Sequence, residues 1–263
     1  SADSIDDPVD GPGRRNIHQT FLLPRTLIHQ DIVRHTALMA ILALFILLPT
    51  VNTMQIGPDQ IKRCPGVKTA LRFSTLLSGN TIGATRWTDG KMDAPMLPTT
   101  AGIWKAGPDE VIFWEEDCEL IEKVELEVEP SVPTANPSRL REEDCYRALD
   151  EGLGNTPSRE ETLRILAWWK SNDRFRFAPD ATRTERDPRA IANMKTLFAL
   201  LNENVDESTR LYKAELAREL GNFDVATALL EHPFPERYQH AVEQIGALIA
   251  ARDVMVRKIQ GKN

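Results

Sequence analysis

The stretch best suited to bind an anion lies in the second half of the chain, between residues 174 and 189. It contains five arginines, namely Arg174, Arg176, Arg183, Arg186 and Arg189. The planar guanidinium group of arginine matches phosphate and carboxylate groups. Acidic neighbours nearly balance this charge, and a solvated loop is therefore the favoured interpretation; these acids are Asp173, Asp180, Glu185 and Asp187.

Groups for acid–base catalysis are scarce in the central part of the chain. None of the five histidines lies between residues 36 and 231, which removes the commonest general base from that region. An acid–base pair of Asp89 and Lys91 would rest on residue type alone, because Asp89-Gly90 is typical of a turn. We therefore predict no catalytic residue and no cofactor, and we favour a protein without enzymatic activity.

The composition limits the classes of partner. With 41% apolar and 27% charged residues, the chain has the composition of an ordinary globular protein. The net charge of -7 argues against non-specific binding to nucleic acid or anionic lipid, because both need a positive field. Three cysteines are too few for a disulfide framework, and their spacing suits a reducing compartment. A single disulfide bond between two of them is the alternative if the chain is exported.

The N-terminal part of the chain divides into a polar segment, residues 1–35, predicted to be largely disordered, and an apolar helix over 36–53. Ala37–Leu48 has twelve apolar residues in a row. As a helix it would span roughly 18 Å of a bilayer core about 30 Å thick. Four interpretations stay open: a membrane anchor, a signal-peptide core, a buried helix, and a foreign extension before a natural start at Met54. Membrane association through 37–51 is narrowly favoured, and a cytoplasmic location is the alternative.

Residues 56–130 are predicted to form a small β-rich module. Strands are expected over residues 71–76, 81–87, 110–114 and 123–129, where β-branched or alternating apolar residues occur. The last of these reads KVELEVE, with Val124, Leu126 and Val128 on one face. Its charged opposite face is typical of a sheet that is open to solvent on one side.

Within this module, Arg63-Cys64-Pro65-Gly66-Val67 and the later segment from Lys105 to Trp114 resemble the frame of a zinc ribbon. In that family, two Cys-Pro-x-Cys turns hold one tetrahedral zinc ion through four thiolates. The four ligand positions fall on Cys64, Val67, Ala106 and Asp109, and only one of them is a cysteine. The resemblance therefore implies a ribbon that has lost its metal, and we predict no metal site. Aromatic residues would hold it together instead, namely Phe73, Trp87, Trp104, Phe113 and Trp114.

The proline-rich segment 131–137 is predicted to link this module to an all-α domain over 138–263. About six helices are expected there from the helical period of apolar residues. Their start signals are a capping box at Ser158 and Glu161, the pair Asp187-Pro188, and Asp206. The sixth helix is expected to run from about Pro235 and to include Met255 and Val256 in its apolar stripe. The second helix is apolar nearly all round, so Trp168 and Trp169 are predicted to be core, with a ligand platform as the alternative.

The fourth and fifth helices resemble a tetratricopeptide hairpin. The residues that carry the resemblance are the small or apolar ones the repeat requires, namely Ala214, Phe223, Ala226 and Leu230, together with the turn residue Gly221. No second copy at the period of the repeat is visible, so one hairpin within an irregular helical domain is expected. The resemblance implies a surface that binds peptides or partner proteins.

The sequence therefore favours an α+β protein with a non-enzymatic role in protein interaction or scaffolding, and membrane tethering stays open. One alternative is a nucleic-acid accessory protein that uses the arginine stretch 174–189, although nucleic acid is a less favoured partner. The other is an enzyme whose site the sequence does not identify. The candidate partner-binding residues are Arg174, Arg176, Arg183, Arg186, Trp168, Trp169, Tyr212 and Phe223.

Overall fold

The computed structural model describes residues 54–98, 100–176, 185–202 and 206–260. Within these ranges eight strands are followed by six helices, which confirms the predicted α+β class. The strands are β1 (Gln55–Arg63), β2 (Ala70–Ser78), β3 (Thr85–Arg86), β4 (Met92–Asp93), β5 (Ile103–Ala106), β6 (Val111–Trp114), β7 (Glu119–Val124) and β8 (Thr134–Ala135). The helices are α1 (Glu142–Asp150), α2 (Pro157–Arg176), α3 (Pro188–Leu200), α4 (Glu207–Glu219), α5 (Phe223–Leu230) and α6 (Glu236–Ala250).

The apolar segment 37–51 lies outside the described residues, so its membrane association stays a prediction. Among the residues that are described, no helix combines the length and the apolar character needed to cross a bilayer. Residues 52–263 form one compact unit.

The main sheet has four strands in the order β7-β1-β2-β8. β1 pairs antiparallel with both β2 and β7, and β8 pairs parallel with β2. Two short hairpins, β3–β4 and β5–β6, accompany this sheet. The predicted strands at 71–76 and 110–114 correspond to β2 and β6, whereas only Thr85 and Arg86 of the segment 81–87 form a strand.

The predicted strand over 123–129 is wrong for most of its length. β7 begins earlier, at Glu119, and ends at Val124, which pairs with Asp59 of β1. Continued pairing would meet Pro58, which has no amide to donate. The chain instead turns, with Glu127 at φ 67° and the Val128 amide donating to the Glu125 carbonyl at 3.1 Å. The alternation of charged and apolar residues here reflects an exposed turn rather than a half-buried strand.

A disulfide bond joins Cys64 to Cys118. A single bridge between two of the three cysteines is the alternative that the sequence analysis kept for an exported chain, and the compartment itself stays a prediction. The bond lies in a small apolar cluster that also includes Val67, Ala106 and Phe113. Three of the four positions of the zinc-ribbon frame therefore meet in this cluster, where apolar side chains and the disulfide fill the space between the two turns.

The proline-rich segment 131–137 contributes strand β8 to the sheet, and Ser138 just beyond it exchanges two backbone hydrogen bonds with Lys105 of β5, at 2.8 and 3.0 Å. One core cluster contains residues from both sides of the segment, including Ile103 and Trp114 from the strands and Cys145 and Leu163 from the helices. The β-rich and helical parts therefore share a core.

Helix start signals are largely as predicted. The Asp187 carboxylate accepts a hydrogen bond from the Arg189 amide at 2.7 Å, and Asp206 accepts one from the Thr209 amide at 2.8 Å. The capping box at Ser158 is wrong, because α2 already begins at Pro157. Proline suits the first helical position, so the cap falls to Thr156, whose hydroxyl accepts from the Arg159 amide at 3.2 Å.

α4 and α5 form the expected helical hairpin around Gly221, which has φ 80°. The Asn222 amide closes the turn by donating to the Ala217 carbonyl at 2.8 Å, as in a Schellman motif. Membership of the tetratricopeptide family stays a prediction. The sixth helix is shorter than predicted, because it ends at Ala250; Met255 and Val256 are instead buried in the segment that follows.

The turn at Asp89-Gly90 packs directly against α4. Gly90 has φ 80°, a left-handed conformation that glycine adopts without strain. A Cβ atom built at this position would overlap the ring of Tyr212. The β-rich part therefore approaches the helical part so closely here that only a hydrogen atom fits.

We predict that Gly90→Ala destabilises the protein by more than the roughly 1–3 kcal/mol that a left-handed non-glycine residue costs, since overlap adds to strain. Gly83→Ala is the matched control: Gly83 has φ 73°, but nothing lies within 4 Å of an added Cβ atom. Chemical denaturation of both variants separates the two effects, and equal losses of stability would contradict the close packing at Gly90.

Candidate ligand-binding site

The turn from Trp87 to Lys91 is held by backbone hydrogen bonds on both sides. Within it, the Trp87 amide donates to the Lys91 carbonyl at 2.9 Å. The Thr88 amide donates to the Arg257 carbonyl at 2.9 Å, and the Arg257 amide donates to the Thr88 hydroxyl at 3.0 Å. The C-terminal segment thus fixes the turn against the helices.

The side chain of Asp89 is fully buried at this junction. Its carboxylate forms an ion pair with Arg176 of α2, whose side chain is also fully buried. It accepts a further hydrogen bond from the Asn172 amide nitrogen at 2.9 Å, and its backbone carbonyl accepts from the Trp169 indole at 2.9 Å. One aspartate on the turn is therefore bonded to three residues of one helix.

Asn172 extends these contacts to a second buried carboxylate, Glu219 at the end of α4. The Asn172 amide nitrogen lies 3.1 Å from Glu219 Oε1, and its carbonyl oxygen accepts from Arg186 at 2.6 Å. Arg186 also donates to Glu219 Oε2 at 2.7 Å, as does the Trp168 indole at 3.0 Å. We call Asp89, Arg176, Asn172, Glu219 and Arg186 the Asp89 network.

Burial controls the electrostatics of the network. It raises the pKa of Asp89, and the Arg176 guanidinium opposes this shift. It also raises the pKa of Glu219 to about 7, opposed mainly by Arg186. Both side chains are closed off from solvent, so the network fixes the structure and is not itself a site for a ligand.

A cavity of about 530 Å³ lies beside the network, between the β-rich part and α2. One face of α2 forms a wall, with residues at helical spacing, namely Thr162, Ile165, Leu166, Trp169 and Lys170. The opposite wall comes from Ile103 and Trp104 of β5 and from the segment between Lys91 and Ala101. Most of the lining is apolar or aromatic.

The polar groups on the wall differ in whether they have partners. Lys91 Nζ lies 2.7 Å from Asp173 and 3.5 Å from Asp93, the only carboxylate of the described lining. Asp93 also accepts a hydrogen bond from the Trp87 indole at 3.0 Å. The side chains of Arg139 and Lys170 line the cavity and have no hydrogen-bond or ion-pair partner within the ranges that the structure describes.

Cys145 of α1 also reaches the cavity wall. Burial raises the pKa of its thiol to about 12, although the positive charge of Lys170 acts in the opposite direction. Because the thiolate is the nucleophilic form, a thiol with this pKa is inert at neutral pH. Cys145 therefore contributes volume and shape to the site.

Seven of the eight residues predicted to bind a partner are described, and of these seven only Trp169 lines the cavity. Arg176, Arg186 and Trp168 are buried in and around the Asp89 network. Tyr212 packs against the turn at Gly90, and Phe223 lies beneath the Arg252 guanidinium. Arg174 donates to the Glu185 carbonyl at 3.1 Å, and Arg183 lies outside the described residues. The structure does not bring the seven described residues to one surface.

Sequence reasoning missed the cavity residues Arg139 and Lys170, and the role of Asp89. A signal for Lys170 was present, because it follows Thr162, Ile165, Leu166 and Trp169 on one helical face and ends that face with a charge. No local signal marks Arg139. The partner of Asp89 lies 87 residues away in the chain, beyond the reach of any local pattern.

In the part of the chain that is described, no group of three or more His, Cys, Asp or Glu side chains is arranged to hold a metal ion. Comparison with protein-family models, with curated proteins and with solved structures gives no match.

The raised pKa of Glu219 predicts a pH-dependent stability. The folded protein retains a proton at this carboxyl between its ordinary pKa of 4.5 and about 7, whereas the unfolded chain releases it. Stability from this group is therefore present below pH 4.5 and is lost as the pH rises to about 7. Glutamine does not titrate, so the free energy of unfolding of Glu219→Gln does not fall in this way. Between pH 4.5 and about 7 the variant therefore becomes more stable relative to the native protein by on the order of 2–3 kcal/mol.

Denaturation of both proteins at several pH values measures this difference, with Glu243→Gln as a control at an exposed position of α6. The free energies of unfolding of the native protein and of Glu219→Gln could instead differ by the same amount at every pH from 4.5 to 7.5. That result would show that Glu219 is not protonated in the folded state.

Proposed function

We propose that this protein is a non-enzymatic binding protein and that its cavity holds a small, largely apolar molecule. The single observation that carries the proposal is the cavity of about 530 Å³ with apolar walls between the β-rich part and α2. Cavities that bind small molecules commonly measure about 300–1,000 Å³ and combine apolar walls with a few polar groups.

The two-sided construction of the cavity supports ligand binding over a packing defect. Ile103 and Trp104 come from β5, and Ile165, Leu166 and Trp169 come from α2. An apolar molecule between these walls would bury surface on both sides and would stabilise the folded state in proportion to its occupancy. Since Trp104 and Trp169 flank the space, their fluorescence would report occupancy.

The polar groups of the lining support binding rather than catalysis. Asp93 is already engaged by the Trp87 indole and by Lys91, which leaves no free carboxylate in the described lining to act as a base. The buried Cys145 thiol is protonated at neutral pH because burial raises its pKa. No histidine belongs to the part of the lining that is described.

The sequence-based hypothesis of a partner protein stays a prediction and is compatible with this proposal. The nucleic-acid alternative loses support, because two arginines of its stretch, Arg176 and Arg186, form ion pairs in the interior. A protein with a net charge of -7 needs a concentrated basic surface to hold a polyanion, and these two side chains do not contribute to one.

We predict that the neutral fluorophore N-phenyl-1-naphthylamine binds the native protein and that Thr162→Trp weakens this binding at least about tenfold. The added indole extends from α2 into the cavity and takes the space of the ligand. Titration followed by fluorophore emission measures the dissociation constants.

Ser158→Trp is the matched control, because it adds the same side chain to an exposed position near the start of α2. It should bind the fluorophore as the native protein does. Equal binding by Thr162→Trp and Ser158→Trp, or no binding by the native protein, would contradict the proposed function.

A further inference from the structure

The charged side chains that line the cavity carry an excess of positive charge, which bears on the charge of the ligand. Among the described residues, the lining contains three cations, Lys91, Arg139 and Lys170, and a single carboxylate, Asp93. This positive excess occurs in a protein whose net charge is -7. The cavity is therefore a basic region of a protein whose net charge is negative.

The excess comes from two of the three cations. Lys91 is held by Asp173 at 2.7 Å, so its charge is already compensated. The side chains of Arg139 and Lys170 have no hydrogen-bond or ion-pair partner in the described ranges. Lys170 is half-buried, and its positive charge opposes the rise in the pKa of the nearby Cys145 thiol.

Lys170 is half-buried beside the apolar wall and has lost part of its hydration, so an anionic partner stabilises it more than a neutral one does. Arg139 is exposed, and its charge adds to this attraction from the solvent side. Arginine presents a planar fork that matches a carboxylate, and lysine adds a second donor with a positive charge. A phosphate monoester is less suited to these walls, because it brings a charge near -2 and three strongly hydrated oxygens.

We propose that the ligand of the cavity is an apolar monocarboxylate whose carboxylate group pairs with Arg139 and Lys170. The proposal rests on the small-molecule binding function proposed above, and it adds the charge and the polar end of the ligand. The apolar body lies between the two walls, against Ile103 and Leu166, with the indoles of Trp104 and Trp169 beside it.

The test compares two probes of nearly the same shape, naphthalene-2-carboxylate and the neutral naphthalene-2-carboxamide. Both are titrated into the 263-residue protein at neutral pH and low ionic strength, with tryptophan fluorescence and calorimetry as readouts. The native protein should bind the carboxylate about tenfold more tightly than the amide, the scale of one charge-assisted interaction in a partly solvated site.

The double variant Arg139→Gln/Lys170→Gln should bind both probes about equally, with the affinity for the amide unchanged. Its control is Lys68→Gln/Lys195→Gln, which removes two exposed cations outside the cavity and changes the net charge by the same amount. This control should keep the tenfold preference for the carboxylate. The unchanged amide affinity also shows that the cavity variant is folded.

Each other outcome overturns a defined part of the account. Equal binding of carboxylate and amide by the native protein would leave the proposed function intact but reject the anionic ligand. A preference that persists in the cavity double variant would reject Arg139 and Lys170 as its source. Tighter binding of 2-naphthyl phosphate than of the carboxylate would reject the monocarboxylate class. Binding of neither probe would reject the ligand inference, and failure to bind N-phenyl-1-naphthylamine as well would reject the proposed function.

Discussion

The buried pairing of Asp89 with Arg176 is the interaction on which the arrangement of this molecule depends. It joins a turn of the β-rich part to α2, and Asn172 connects it to Glu219 at the end of α4. A buried ion pair adds little stability compared with a well-packed apolar pair. Removing one partner, however, leaves the other charge buried without compensation and lowers the free energy of unfolding by about 3–5 kcal/mol. We infer that the pair selects which surfaces meet, while the shared apolar core around Trp114 and Leu163 supplies the stability.

The same docking creates the candidate binding site. Along one side of α2, at helical spacing, Ile165 and Trp169 line the cavity, and Asn172 and Arg176 further along the helix belong to the Asp89 network. Trp169 belongs to both, because its indole donates to the Asp89 carbonyl while its ring lines the cavity. A ligand that contacts both walls of the cavity would therefore stabilise the contact that the network specifies.

Several local signals in the sequence predicted local structure correctly, although the strand over 123–129 and the capping box at Ser158 were wrong. The caps at Asp187 and Asp206, the turn at Gly221 and the strand around residues 71–76 all occur, because each depends on residues within one or two turns of the chain. Long-range pairings were not visible: the Cys64–Cys118 bond spans 54 residues, and neither Asp89 nor Arg176 indicates its partner. The arginine stretch was interpreted as surface for the same reason, since a composition pattern does not show which charges are buried.

Hydrogen exchange of the native protein and of Asp89→Ala, followed by mass spectrometry, tests most directly whether the Asp89 network unites the two parts. The account predicts that protection falls together in peptides from β1 and β2 and in peptides from α2 and α4 of the variant. The free energy of the opening reaction should decrease by about 3 kcal/mol or more in each. Loss of protection confined to the turn from Trp87 to Lys91, with α2 and α4 unchanged, would contradict it.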